Sequence, residues 1–251
     1  MRAAALPGAG IGRAIAQRLA RQGDRVIVHY GRDAAGAEVG DGETRASLEQ
    51  DGHLCLGADL EAPDGAALLI AAAVAQTGRL DVLVCNHGIY QETPFGATTA
   101  ADWAASFAKT LRVNLEAPAN LAFAAATHMA AAPARGGAIV FVSSRGAVRG
   151  EPDAPAYGAS KAGLNALTGS LAQAFAKHGV RVAAVAPGFI STAMAEPVLQ
   201  GARGDAIRAQ SPFDRVGRPE EVADAVAYLA SEEAAWSSGA VLDCNGASYL
   251  H

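Results

Sequence analysis

An α/β fold with a doubly wound parallel sheet of seven strands and helices on both faces follows from three features of the sequence. Short apolar runs alternate with longer Ala-rich stretches along the whole chain. Several of the runs end in Asn, Ser or Pro-Gly, as strands do when their carboxyl ends line a ligand crevice. Hydrophobic residues make up 51% of the 251 residues and charged ones 18%, enough apolar surface to cover a parallel sheet on both faces.

Each element has its own signal. Ala3–Leu6 reads as a first strand directly after Met1-Arg2, without the pattern of a secretion signal. The turn holding Gly8, Gly10 and Gly12 then opens a helix over Ile11–Gln22, whose N-terminus is suited to a phosphate. Val26–Tyr30 is a β-branched run, and Ala34–Gln50 is expected to be helical. His53–Leu56, helix Pro63–Gln76 and strand Asp81–Cys85 continue the alternation. Ala100–Ala132 is one long helical stretch, expected to break near Thr110. Strand Ala138–Ser143, helix Ala154–Lys177, strand Arg181–Ala186, helix Pro219–Ser231 and strand Ala240–Cys244 complete the order. Such alternation implies right-handed crossovers. No Pro/Ser linker, charge block or repeat divides residues 1–251, which are read as a single domain.

The balance of charges excludes several classes. A net charge of −5 argues against nucleic-acid or anionic-membrane partners, and no apolar run is long enough to span a bilayer. A cytoplasmic location is expected. Cys55, Cys85 and Cys244 are odd in number, sit in apolar runs and lack metal-ligand spacing, so buried free thiols and no metal are expected.

The most informative stretch is Tyr157-Gly158-Ala159-Ser160-Lys161. On a helix, positions i and i+4 share a face, so the Lys161 charge can favour phenolate at Tyr157. That would draw a phenol with a free pKa of about 10 toward working pH, at about 1.4 kcal/mol per unit. Such a tyrosine is a usable general acid or base. Ser144 ends the strand upstream, Pro187-Gly188 breaks the next one, and Asn86 with Gly88 follows an earlier one. Asn114 is a lone amide in an apolar helical segment.

In this order, Asn86/Gly88, Asn114, Ser144, Tyr157/Lys161 and Pro187-Gly188 make the chain similar to the short-chain dehydrogenase/reductase family, in its single-domain NAD(P)-dependent branch with a Rossmann-type fold. The likeness runs from about residue 8 to the C-terminus, where Gly239–Ala247 looks like the 3-oxoacyl-acyl-carrier-protein reductases. The resemblance implies that Ser144 polarises the substrate oxygen, Tyr157 passes the proton, and Lys161 binds the nicotinamide ribose and acidifies Tyr157. It implies that Asn114 keeps a water in the proton relay, and that Asn86 fixes loop backbone while Gly88 allows close approach of the cofactor. It also implies that Asp59 with Leu60 meets the adenine, and that Ile190 and Thr192, after Pro187 and Gly188, hold the carboxamide. Asp59 is equally suited to capping a helix.

Departures from the family pattern are informative as well. One residue, not three, separates Gly8 from Gly10 ahead of Ile11 and Gly12, and Pro7 stands where Thr is usual. The second strand ends in Arg32 with no acidic residue, so a 2′-phosphate partner, and hence NADP(H) over NAD(H), is favoured. His87 replaces the usual Ala, and a local packing role is expected for it. Tyr90–Phe95, Arg145–Pro152 and a lid at Ser191–Pro212 should bound the substrate. Arg145 and Arg149 could receive an anion or pair with Glu151 or Asp153. Thr127–Ala134 and the face around Gln173 lack basic residues for an acidic carrier protein, so a small free ketone or secondary alcohol is expected first. Carrier-linked 3-oxoacyl reduction, or a non-catalytic role with impaired cofactor binding, is the alternative. The small apolar face of Ala154–Lys177 and the segment Trp236–Leu250 suggest a homotetramer.

Overall fold

A computed structural model describes residues 10–32, 38–39, 43–49, 51–131, 136–193 and 195–250. The expected strand Ala3–Leu6 and Gly8 lie outside the described residues. The remaining six expected strands are present: β1 (Ile27–Arg32), β3 (Leu54–Ala58), β4 (Val82–Cys85), β5 (Gly137–Val142), β6 (Val180–Pro187) and β7 (Val241–Cys244). Parallel pairing joins β1 to β3, and β4, β5, β6 and β7 in that order.

Continuous apolar runs form these strands because both faces are covered. Along β4, Val82 and Val84 enter one hydrophobic cluster while Leu83 and Cys85 enter the other. Ala138, Val140 and Val142 of β5 divide from Ile139 and Phe141 in the same way. The first cluster is closed by α1 (Ile11–Arg21) and α9 (Pro219–Ala230). On the other face stand α3 (Gly65–Thr77), α5 (Ala117–Ala131) and α7 (Pro155–Phe175). This is a doubly wound arrangement.

Local chemistry sets the helix ends. Thr99 Oγ1 accepts from the Asp102 N–H at 3.1 Å and so caps α4 (Ala100–Leu111). Gly78, at φ 79°, ends α3 in the left-handed conformation that favours glycine. Pro155 and Pro219 stand in the first turns of α7 and α9, where their missing N–H costs nothing. The break expected near Thr110 is a π-helical turn, Arg112–Glu116, between α4 and α5.

One expected helix is corrected. In place of Ala34–Gln50, the described residues hold the short antiparallel strand β2 (Glu38–Val39) on β1 and a single turn, α2 (Glu43–Ala46). Gly36, Gly40 and Gly42 each weaken a helix by about 1 kcal/mol relative to Ala, which explains the difference. Two short helices add to the expected set, α6 (Gly146–Arg149) and, within the lid segment, α8 (Gly201–Arg208). All three cysteines are free, but only Cys85 is buried, whereas Cys55 and Cys244 are half-buried. No helix among the described residues is long and apolar enough to cross a membrane.

Candidate active site

The carboxyl ends of β4, β5 and β6 lie side by side in the sheet, so the segments that follow them meet at one edge. Asn86–Gly88 follows β4, Ser143-Ser144 follows β5, and Pro187-Gly188 closes β6. Helix α7 is tied to this edge by Ser143, whose hydroxyl donates to Asn165 Oδ1 at 2.6 Å. That contact sets which turn of α7 faces the strand ends.

Two turns before Asn165 on α7, the hydroxyls of Ser144 and Tyr157 are hydrogen-bonded. Ser144 Oγ also accepts from the Gly146 N–H at 3.0 Å, which fixes its rotamer. The Tyr90 ring meets the Tyr157 ring edge-on, with centroids 5.1 Å apart. One turn along α7, the Lys161 ammonium lies 5.8 Å from the Tyr157 ring centroid and donates to the Val142 carbonyl at 2.8 Å. Lys161 is buried.

Burial dominates the electrostatics. It pushes the Tyr157 phenol above its ordinary value, the Ser144 hydrogen bond acts the other way, and Glu151 adds to the rise. The expected acidification of Tyr157 by Lys161 is therefore absent, because the ammonium points to a backbone carbonyl and burial outweighs the Ser144 hydrogen bond. Lys161 itself is lowered to about 8 by burial, with Cys85 acting in the opposite direction. Burial raises the Cys85 thiol to about 12.

Asn114 lies on the π-helical turn with no exposure. Its Oδ1 accepts from the Ile89 N–H at 2.8 Å, and its Nδ2 donates to the Ile89 carbonyl at 2.9 Å and to Ser160 Oγ at 3.1 Å. Asn114, not Asn86, thus pins the loop after β4. Ser160, which sequence reasoning missed, links that clamp to α7, and its only signal was its place between Tyr157 and Lys161. A Cβ added to Gly88 would sit 3.3 Å from Asn114 Oδ1 and 3.5 Å from Lys161 Nζ, so Gly88 stands against both. The His87 ring is buried, its Nε2 has no hydrogen-bond partner among the described residues, and burial, together with the His29 and Lys161 charges, lowers it to about 3 against the opposing effect of the Val113 carbonyl. It is neutral at physiological pH.

A separate set of residues, Gly10, Arg13, Ser191, Thr192 and Arg208 among others, lines a cleft of about 770 Å³ between α1 and the lid. Gly10 adopts φ 142°, and a Cβ there would meet Thr192 Cγ2 at 3.0 Å. No side chain among the described residues caps the N-terminus of α1. A helix N-terminus at a cleft with basic and hydroxyl groups fits the pyrophosphate of a dinucleotide. Ile11 is half-buried and Gly12 buried on α1, and Ile190 is buried in the core. Asp59 is not the cap of α3, a position held by Asp64. It accepts instead from the Glu61 N–H at 2.8 Å. Leu60 packs on the second cluster. The backbone of Arg32 ends β1 opposite Glu38.

The Thr93 N–H donates to the Asp153 carbonyl at 2.7 Å, joining Tyr90–Phe95 to the residue that follows Arg145–Pro152. Arg203 on α8 lies 3.9 Å from Glu92, which brings the lid over the loop after β4. Arg145 departs from the reading of it as an ion-paired loop residue. It pairs with neither Glu151 nor Asp153; its guanidinium is buried, donating to Ser248 Oγ and Gln210 Oε1. Arg149 is exposed.

Comparison with known proteins agrees with this geometry. A family model described as enoyl-(acyl carrier protein) reductase matches residues 5–246. The chain is 38% identical over 253 residues to the cis-4-hydroxycyclohexanecarboxylate dehydrogenase of Sinomonas cyclohexanicum, covering 98% of this chain and 95% of that one. It is 37% identical to the 3-oxoacyl-[acyl-carrier-protein] reductase of Thermotoga maritima, over 71% of this chain and 70% of the relative. The solved structure of gox2181 superposes with a TM-score of 0.86 at 30% identity, covering 98% of this chain and 95% of that one. With the Ser144–Tyr157–Lys161 cluster set at the carboxyl ends of a doubly wound sheet, these likenesses show that the chain belongs to the short-chain dehydrogenase/reductase family of NAD(P)-dependent oxidoreductases acting on CH–OH and carbonyl groups.

Proposed function

We propose that the chain interconverts a small free ketone and its secondary alcohol, with Tyr157 as general acid and base and NADP(H) preferred to NAD(H). The observation that carries this reading is the hydrogen-bonded Ser144–Tyr157 pair with Lys161 one turn away. Ser144, held by Gly146, holds the substrate oxygen beside the phenol. Burial keeps Tyr157 protonated at neutral pH, which suits proton donation to a developing alkoxide. Lys161 orients the nicotinamide ribose, and Asn114 acts by fixing the loop after β4. When bound, the dinucleotide supplies or receives the hydride. Gly8, Gly10, Ile11 and Gly12 cradle its pyrophosphate, Asp59 and Leu60 its adenine, and Asn86, Gly88, Pro187, Gly188, Ile190 and Thr192 flank its nicotinamide half. The lid contact of Arg203 with Glu92 favours a small substrate.

The test is turnover of a panel comprising cyclohexanol, 4-hydroxycyclohexanecarboxylate, their ketones and a 3-oxoacyl thioester, followed by dinucleotide absorbance with each cofactor. The ketones should react with NADPH, and NADPH should bind ten- to hundredfold more tightly than NADH, the value of one charge-assisted phosphate contact. Arg32→Ala should close most of that gap. Equal use of both cofactors, unaffected by Arg32→Ala, would defeat the NADP assignment. Reaction with the thioester alone would favour the second reading, carrier-linked 3-oxoacyl reduction, which the Thermotoga maritima relative supports.

Assembly as a homotetramer belongs to the same proposal, with residues 1–251 forming one domain in each subunit. Trp236, Leu250 and Phe123 are exposed large apolar groups, and among the described residues β7 is an edge strand. Light scattering at micromolar concentration should give four times the chain mass of 25.4 kDa. A monomeric mass would end the claim.

A further inference from the structure

Arg145 directly follows Ser144, and its backbone N–H donates to the Pro187 carbonyl at 3.0 Å, so the residue is anchored between the ends of β5 and β6. Its side chain leaves the loop for the interior and is 4% exposed. The guanidinium reaches Ser248 Oγ at 2.6 Å and Gln210 Oε1 at 2.5 Å, and it stacks 5.1 Å from the centroid of the Phe189 ring. All three partners are neutral. Among the described residues, no carboxylate lies within ion-pair distance of it.

That arrangement is costly if it is only structural. An ion buried without a counter-charge carries a desolvation penalty of several kcal/mol, and hydrogen bonds to a hydroxyl and an amide do not need a cation. A guanidinium has five N–H donors, so the contacts to Ser248 and Gln210 leave part of its fork available. Here the fork borders a cavity of about 190 Å³, shared with Phe189, Ile207, Ser211, Asn245 and Ser248. Other charges at that cavity do not supply the missing anion. Arg215 and Glu221 are paired with each other at 2.7 Å, and Asp243 is exposed. Of the groups that act on Arg145 at longer range, Arg149 repels and Glu151 attracts.

We propose that Arg145 is a specificity residue whose buried guanidinium receives a carboxylate carried by the substrate, in the cavity it borders. The inference rests on the oxidoreductase reading above and sharpens its substrate class to hydroxy and oxo carboxylic acids. The carboxylate would supply the counter-charge that the chain withholds, in a bidentate pairing for which a guanidinium is shaped. Ser248, whose oxygen accepts from Arg145, offers its hydroxyl proton to a remaining lone pair. Phe189 and Ile207 give an apolar wall to the carbon skeleton. A neutral alcohol would leave the cation uncompensated.

The experiment compares 4-hydroxycyclohexanecarboxylate with its carboxamide, which keeps the shape and removes the charge. In the wild-type protein, kcat/KM for the acid should exceed that for the amide at least tenfold, with the difference in KM. Arg145→Gln should collapse this ratio toward one, and Arg145→Lys should keep part of it. Binding of the unreactive cyclohexanecarboxylate, measured by calorimetry on the cofactor-loaded protein, should be present in the wild type and lost in Arg145→Gln. A wild-type ratio near one, or a ratio that survives Arg145→Gln while only the melting temperature falls, overturns the proposal. Calorimetric binding lost in Arg145→Gln, with no turnover of any panel compound, would uphold the anion site and sink the oxidoreductase reading instead. Turnover without discrimination would do the reverse.

Discussion

Tyr157→Phe should lower turnover in both directions by the 10²–10⁴ typical of a lost general acid or base, while dinucleotide affinity changes little. The substitution keeps the ring that meets Tyr90 edge-on and removes only the hydroxyl bonded to Ser144. Ser144 keeps its hydrogen bond from the Gly146 N–H, so the loop after β5 has no reason to move. A stability loss of about 1 kcal/mol is the scale for one such hydrogen bond. Comparable turnover in the variant would remove Tyr157 from the chemistry. The pH profile gives a second check, because burial holds the phenol above its ordinary value. Ketone reduction, which needs the proton, should be flat through neutral pH, whereas kcat/KM for alcohol oxidation should climb as pH rises.

Six strands were legible in the sequence because a strand buried on both faces reads as an unbroken apolar run, and Val82–Cys85 and Gly137–Val142 are such strands. The expected helix Ala34–Gln50 runs against three glycines in its own sequence, and its described residues hold a short strand and a single helical turn instead. The cluster at the strand ends was legible through residue types at fixed order: Asn114, Ser144, Tyr157 and Lys161 do converge, with Gly88 against two of them. Its electrostatics were not legible. Spacing on a helix says that Lys161 can reach Tyr157, but not that the ammonium prefers the Val142 carbonyl 2.8 Å away, nor that burial outweighs the charge. The fate of Arg145 depended on Gln210 and Ser248, 65 and 103 residues distant in sequence, and no local pattern announces such partners.

Lys161→Met should cost turnover on the same scale as Tyr157→Phe and, unlike it, should also weaken dinucleotide binding, because one ammonium serves both. Its effect on stability depends on pH in a direction that the burial of Lys161 fixes. The ordinary value of 10.5 falls to about 8 in the folded chain. Below about pH 8, Lys161 is charged in both folded and unfolded states, and the folded protein bears the whole cost of a buried ammonium. Between about 8 and 10.5, the folded state releases its proton while the unfolded state keeps it, so stability rises with pH, by on the order of 3 kcal/mol across the window. Methionine has no proton to lose. Removing the ammonium also strips a donor from the Val142 carbonyl, a pH-independent loss of about 1–3 kcal/mol that offsets the relief from burial. The net change at pH 7 is therefore small, and the informative quantity is the slope. Urea unfolding at pH 7 and at pH 10 should show the wild-type protein gaining stability relative to Lys161→Met, since the other titrating groups are common to both and cancel. Parallel behaviour of the two proteins over that range would mean that Lys161 is not held at a lowered pKa, and that the buried-ammonium description of this site is wrong.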